Sequence, residues 1–129
     1  MNKSKVLWTC LALLGAVSLA AASSPAAGFA GIWIGKIETG MGVDELTLTL
    51  VKAGTSYTGI INDSLGLVDK DTPIININVA GTAIGFSFKA MGGSMEFGMK
   101  LTLAADKLTG ELRNEAENGG APFEFERKK

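Results

Sequence analysis

Apolar and polar residues alternate along almost the whole chain beyond residue 28, and no stretch there holds a helical period. In Met95–Leu103 every second residue is apolar, and the residues between are Glu96, Gly98, Lys100 and Thr102. Alternation of this kind is typical of strands that bury one face and expose the other. The sequence therefore predicts an all-β domain.

Turn-forming clusters rich in Gly, Asn, Asp and Pro separate eight predicted strands, which begin near residues 30, 44, 57, 74, 83, 94, 108 and 121. Short connections predict antiparallel neighbours, and Asp63 to Pro73 is the one longer connection. Closing the sheet on itself removes its edges, so we expect an eight-stranded antiparallel up-and-down β-barrel. An immunoglobulin-like sandwich stays open as an alternative. A membrane barrel is excluded by the charged outward positions.

Trp33 stands between Gly31 and Gly35 on the first predicted strand. With Trp33 pointing inward, we expect the two glycines to bend the strand and make room for the indole, which then closes one barrel end. Gly59 and Gly110 are further expected bending points.

The N-terminus has the features of a secretory signal peptide over residues 1–22, with Lys3 and Lys5 before an apolar run and Ala20–Ala22 at its end. It is too short for a stable membrane anchor. We expect a secreted or periplasmic protein with a flexible tail at 23–28 and one barrel domain at 29–129.

Composition limits the chemistry of the mature chain. Without Lys3 and Lys5, ten basic residues remain against 13 acidic ones, a net charge of −3. No basic stripe is present, so nucleic acid is not an expected partner. The sequence has no histidine, and its one cysteine, Cys10, lies in the leader. We therefore predict no catalytic residues, no metal site and no cofactor.

Several segments resemble a known family. They are Gly31–Ile37, Leu46–Leu50, Thr58–Ser64, Thr72–Gly93 and Leu108–Glu111. The G-x-W-x-G strand resembles lipocalin-like and avidin-like barrels in general form. The whole set is similar to the small all-β accessory domain that precedes the hydrolase domain of secreted bacterial serine hydrolases. We expect no hydrolase domain after Lys129, and therefore a free-standing version to which the catalytic role does not transfer.

Two binding functions are expected. The first is a non-catalytic binding or accessory module that contacts an unknown protein, or a second copy, through outward aliphatic residues. The candidate residues are Ile32, Ile34 and Ile60, with Val51 and Ile74 on the same outer face. A tail from Ser23 to Phe29 that covers them is the alternative.

The second function is a carrier of a small apolar ligand, such as a fatty acyl chain. Its candidate lining residues are Trp33, Tyr57, Phe88, Met95 and Met99, although bulky inward residues predict a filled interior. A calcium site at Asp63, Asp69 and Asp71 is not expected, because the spacing of a calcium loop is missing.

Overall fold

The computed structural model describes residues 28–116 and 119–129, and the proposed signal peptide and residues 23–27 lie outside this range. The described chain is all-β, with a single 3-10 turn at Met91–Gly93. The strands are β1 (Gly31–Thr39), β2 (Gly42–Ala53), β3 (Ser56–Asp63), β4 (Thr72–Pro73), β5 (Ile75–Ala80), β6 (Ala83–Ala90), β7 (Met95–Ala104), β8 (Lys107–Asn114) and β9 (Ala121–Arg127). The described residues form no helix that could cross a membrane.

All nine strands belong to one antiparallel sheet, in the order β4-β3-β2-β1-β9-β8-β7-β6-β5. Its two edge strands, β4 and β5, are consecutive in sequence and are joined by Ile74 alone. The Ile74 N–H donates to the carbonyl of Gly59 in β3, while Ile75 pairs with Ser87 in β6. The sheet therefore curls into a nearly closed barrel, and the sandwich alternative is wrong.

The count of nine differs from the expected eight because one predicted strand is split. Pro73 has no N–H to donate, and the chain passes from β3 to β6 at this point. Asn76 takes a positive φ of 55°, and the register between β5 and β6 shifts between Ile75 and Asn78. Such a bulge changes which residues point inward.

Two of the expected side-chain orientations next to this bulge are wrong. Ile74, expected on the outer face, is buried with 5% of its surface exposed. Ile75, which the alternation placed inside, is 36% exposed. The strict period of two fails here because the strand is interrupted between these residues and Asn78.

The core fills the barrel interior with the expected inward residues of the other strands. Its fully buried large side chains are Trp33, Leu48, Leu50, Ile61, Ile84, Met99, Leu101, Leu108 and Phe125. Ile37, Tyr57, Phe97 and Leu112 are partly buried and pack against this cluster. Close packing of this kind leaves little internal space.

Trp33 is buried near one end of the barrel, as expected. Its Nε1 donates to the carbonyl of Phe29 at 2.9 Å, and Phe29 is itself buried against Tyr57. The expectation that Gly35 makes room for the indole is wrong, because a Cβ at Gly35 would lie 2.6 Å from Cζ of Phe123. Gly35 therefore makes room for Phe123 of β9 rather than for Trp33.

Candidate functional site

The longest connection of the barrel, residues 64–71, covers the end opposite Phe29, here called the loop-covered end. Ser64 donates from its N–H to the carbonyl of Glu45 at 3.0 Å. At the far side, the N–H of Met91 donates to the carbonyl of Leu67 at 2.8 Å. The loop is thus attached to β2 on one side and to the β6–β7 turn on the other.

Asp44 fixes the beginning of this loop. It lies on β2 in phase with the inward residues Leu46 and Leu48, and only 3% of its surface is exposed. One of its oxygens, Oδ1, accepts hydrogen bonds from the N–H of Ser64, from the Ser64 hydroxyl and from the N–H of Leu65. A buried carboxyl group needs such partners to offset its loss of hydration.

Asp63 holds the next part of the loop. Its two oxygens accept from the N–H of Leu67 at 2.8 Å and from the N–H of Val68 at 3.0 Å. These bonds turn the chain so that the Val68 side chain is buried in the core. The two carboxyl groups are neighbours, and each shifts the pKa of the other.

The pKa values of Asp44 and Asp63 shift in opposite directions. Burial and the neighbouring Asp63 raise the pKa of Asp44, against the backbone N–H groups of Leu65 and Ser64. Burial opposes ionisation of Asp63 too, but its hydrogen bonds with Asp44, Val68 and Leu67 outweigh this and lower the pKa of Asp63. One proton shared by the pair, with Asp63 ionised, fits both directions.

An apolar pocket of about 120 Å³ lies beneath the loop. Its lining is apolar except for Thr39 and Asp44, and both polar groups already have hydrogen-bond partners. The other lining residues are Ile37, Leu46, Leu67, Val68, Phe88, Ala90, Phe97 and Leu112. The pocket therefore offers surface for an apolar group and no arrangement of polar groups for a reaction.

Exposed hydrophobic side chains surround this end. Of the large hydrophobic residues that the structure describes, seven are exposed. Four of these, Met41, Val43, Leu65 and Met91, lie on the β1–β2 hairpin, the covering loop and the β6–β7 turn, and we call them the apolar rim. Grouped exposed apolar residues mark binding surfaces more often than scattered ones do.

The five predicted ligand-lining residues do not come together. Phe88 lines the pocket, and Met99 is buried in the filled interior. Met95 is partly buried at the start of β7. Trp33 and Tyr57 lie toward the other end, where Tyr57 borders a broad depression of about 700 Å³ together with Phe29, Lys52 and Arg127.

That other end is held together by Arg127. Its guanidinium donates to the carbonyls of Ala30 and Gly28 at 2.7 and 2.9 Å and to Oδ1 of Asp106 at 3.0 Å. The hydrogen bond with Arg127 and the charge of Lys129 lower the pKa of Asp106. No pattern in the sequence predicted this structural role of Arg127.

The predicted partner residues do share an outer face. Ile32 pairs with Thr49, and Thr49 pairs with Ile60 on the next strand. Ile32 is 39% exposed, and Ile34 and Ile60 are partly buried. Phe29 does not cover this face, because its side chain is buried in the core; the rest of the expected covering tail lies outside the described residues.

The sequence contains a signal for the buried position of Asp44 that the count of apolar residues does not include. In Asp44–Leu50 the inward positions are Asp44, Leu46, Leu48 and Leu50, so the carboxyl group continues the apolar row. A charged residue in phase with a buried row points to a group that the fold satisfies with hydrogen bonds. Asp63 had no such signal, because its partners are backbone N–H groups of a loop.

No protein-family model matches the chain, and neither a curated protein nor a solved structure gives a match. The proposed function therefore rests on the sequence and on the geometry of the described residues.

Proposed function

We propose that this chain is an exported, non-catalytic β-barrel, lipocalin-like or avidin-like in architecture, that acts as a binding module. The loop-covered end is its binding surface. The observation that carries the proposal is the apolar pocket of about 120 Å³ with the exposed residues Met41, Leu65 and Met91 around it. Apolar pockets with adaptable methionine side chains nearby suit protein recognition.

The bonding of the carboxyl groups supports a role without catalysis. A general acid or base must reach a substrate with its titrating oxygen. Asp44 and Asp63 instead use their oxygens to accept hydrogen bonds from the loop backbone. Their role in the proposal is to hold the loop in place. Mature protein should give no turnover with a panel of ester, peptide and glycoside substrates, and turnover lost on mutation of Asp44 would contradict the proposal.

Site-specific cross-linking tests the binding surface. A photo-reactive amino acid at Leu65 should give covalent adducts in cells of the host, because Leu65 lies on the apolar rim. The same amino acid at Thr102, which is exposed on the outer face of β7, serves as the control. Equal adducts at both positions would argue against a binding role for this end.

A carrier of a small apolar ligand is the second candidate function, and the same pocket supports it. Its volume of about 120 Å³ is below that of the ~150 Å³ cavity that accepts benzene. A long fatty acyl chain is therefore not accommodated unless the loop opens. Native mass spectrometry of protein purified from its own host should show a bound small molecule if this function holds, and an unliganded mass would exclude it.

A weak homodimer through Ile32, Ile34 and Ile60 is supported by the outer face of β1–β3, where threonines flank these residues. Outward positions Thr47, Thr49 and Thr58 carry no charge and add no repulsion between two copies. Glu126, which pairs with Ile34, is a charged neighbour at the edge of this face. Sedimentation equilibrium should show association that Ile32→Lys abolishes and that Thr102→Lys leaves intact. A wild-type protein that remains monomeric at high concentration would remove this interface.

A further inference from the structure

The loop-covered end has an acidic excess. The acidic side chains on the connections at this end and the strand positions next to them are Glu38, Glu45, Asp69, Asp71, Glu96 and Glu115, and the basic ones are Lys36, Lys70, Lys89 and Arg113. Lys89 is 3.3 Å from Glu96, so these two charges largely cancel. Lys36, Lys70 and Arg113 offset three of the other five carboxylates, so an excess of two negative charges remains around the apolar rim. This excess attracts cationic groups.

The opposite end of the barrel has a net positive charge. It carries Lys52, Lys107, Arg127, Lys128 and Lys129 against Asp106, Glu124 and Glu126. A cationic segment is therefore directed toward the loop-covered end by the charge distribution of the whole barrel. The same field disfavours anionic lipid headgroups and free fatty acids at the pocket entrance.

The pocket is sized for one side chain. A cavity of ~150 Å³ holds a benzene ring, and this pocket of about 120 Å³ is partly open because Ile37, Leu67, Phe97 and Leu112 are only partly buried. One phenylalanine ring or one leucine side chain fills it. Both of the pocket's polar groups are engaged within the protein, so the inserted group needs no polar atom.

We propose that the loop-covered end binds a peptide segment of a partner protein, with one phenylalanine-sized or leucine-sized side chain in the pocket and lysine or arginine residues on both sides of it. The inserted side chain contacts Phe88 and Ala90. The flanking cations lie against the carboxylates Glu38 and Asp69, beside Leu65 and Met91. This inference rests on the proposed binding function and adds the chemistry of the partner.

Three short probe peptides, blocked at both ends, test the proposal on the full mature chain: Lys-Lys-Phe-Lys-Lys, Lys-Lys-Ala-Lys-Lys and Glu-Glu-Phe-Glu-Glu. Binding is followed by NMR of the methyl groups of Leu46, Leu67 and Val68, with Val79 and Leu103 at the other end as the reference. The first peptide should bind with a dissociation constant on the order of 1 mM, because one anchored side chain supplies most of its affinity. It should shift only the first group of signals.

The other two peptides separate the anchor from the charge. Replacing Phe by Ala should weaken binding about tenfold, because the pocket is left unfilled. Replacing Lys by Glu should also weaken binding about tenfold at low salt, and the difference should shrink as salt screens the charges.

Two variants locate the site. Ala90→Leu fills the pocket and should abolish the shifts from the first peptide. Glu38→Lys should weaken that peptide a few-fold, about as much as a surface charge contributes, whereas Glu124→Lys on the outer face of β9 should not. Because Glu38 is exposed, this pair of variants remains informative if Ala90→Leu fails to fold.

The outcomes test the proposed partner chemistry separately from the proposed binding function. Equal affinity for the Lys and Glu peptides would overturn the partner chemistry and leave the proposed binding function intact. Equal affinity for the Phe and Ala peptides, or shifts at Val79 and Leu103 alone, would overturn both. The absence of any shift at millimolar peptide would also overturn both.

Discussion

The guanidinium carbon of Arg127 lies 4.3 Å from the centroid of the Trp33 indole ring. The first and last strands meet at this contact, since Trp33 on β1 pairs with Arg127 on β9. The cation over the ring face is attracted by its π electrons. Hydrogen bonds from the same guanidinium to Gly28 and Ala30 fix the chain that leads into β1. One side chain therefore connects both termini of the described barrel.

Trp33→Ala should lower the free energy of unfolding by about 3–5 kcal/mol, because it empties the largest fully buried site of the core. Chemical denaturation followed by circular dichroism measures the change. A loss below about 1 kcal/mol is typical of surface positions and would contradict the buried placement of the indole.

Arg127→Lys separates charge from geometry at the same place. Lysine keeps the positive charge but cannot make the fork of hydrogen bonds to Gly28, Ala30 and Asp106. We expect a loss of about 1–3 kcal/mol, the cost of leaving partly buried carbonyls without a donor. Lys128→Ala is the control, because Lys128 is exposed. Equal stability of the two variants would show that the fork is not needed.

The alternation predicted most of the fold because each strand buries one face, and side chains such as Leu48, Phe88 and Phe125 must then lie inside. It failed at Ile74 and Ile75, where a proline and a bulge interrupt the strand. It also could not predict the covering loop. The bonds of Asp63 to Leu67 and Val68 depend on backbone positions that no residue pattern encodes. The pocket arises from that loop, so the alternation of apolar and polar residues could not predict it either.

The corrected orientation of β4 and β5 is tested by a pair of alanine variants. Ile74→Ala should cost about 2–5 kcal/mol, because Ile74 is buried. Ile75→Ala should change stability by about 0.5 kcal/mol or less if its exposed side chain behaves as other surface residues do. The two variants remove the same atoms, so urea midpoints compare them directly. A larger effect at Ile75 would instead support an uninterrupted strand with Ile75 inside and Ile74 outside.

Gly110 marks a close approach of two strands. A Cβ at this position would overlap the carbonyl oxygen of Lys100 in β7, whereas a Cβ at Gly85 would meet its nearest atom at 3.6 Å. Gly110→Ala should therefore destabilise the barrel by about 3 kcal/mol or more through overpacking. Gly85→Ala should be tolerated within about 1 kcal/mol, since a glycine in a strand is itself unfavourable. Thermal unfolding of the two variants gives the comparison, and similar losses would refute close packing at Gly110.

The pair Asp44 and Asp63 predicts a specific dependence of stability on pH. The pKa of Asp44 is raised above its ordinary value of 3.8, so its contribution is complete below 3.8 and is lost as the pH rises through the raised value. The pKa of Asp63 is lowered, so its contribution is present above 3.8 and is lost as the pH falls through the lowered value. The contribution of the pair is therefore greatest between the two folded-state pKa values.

Asparagine substitutions distinguish the contributions of the two carboxyl groups to stability at neutral pH. Asn at position 44 is neutral like protonated Asp44: its oxygen can accept from Ser64 and Leu65, and its NH₂ can donate to Asp63. Asp44→Asn should therefore be at least as stable as the wild type at neutral pH, and its advantage should vanish near pH 3.8. Asp63→Asn brings an NH₂ group toward the N–H of Leu67 or Val68, so it should lose about 1–3 kcal/mol. Denaturant titrations across this pH range measure both effects, and a larger loss for Asp44→Asn than for Asp63→Asn at neutral pH would reverse the assignment of the shared proton.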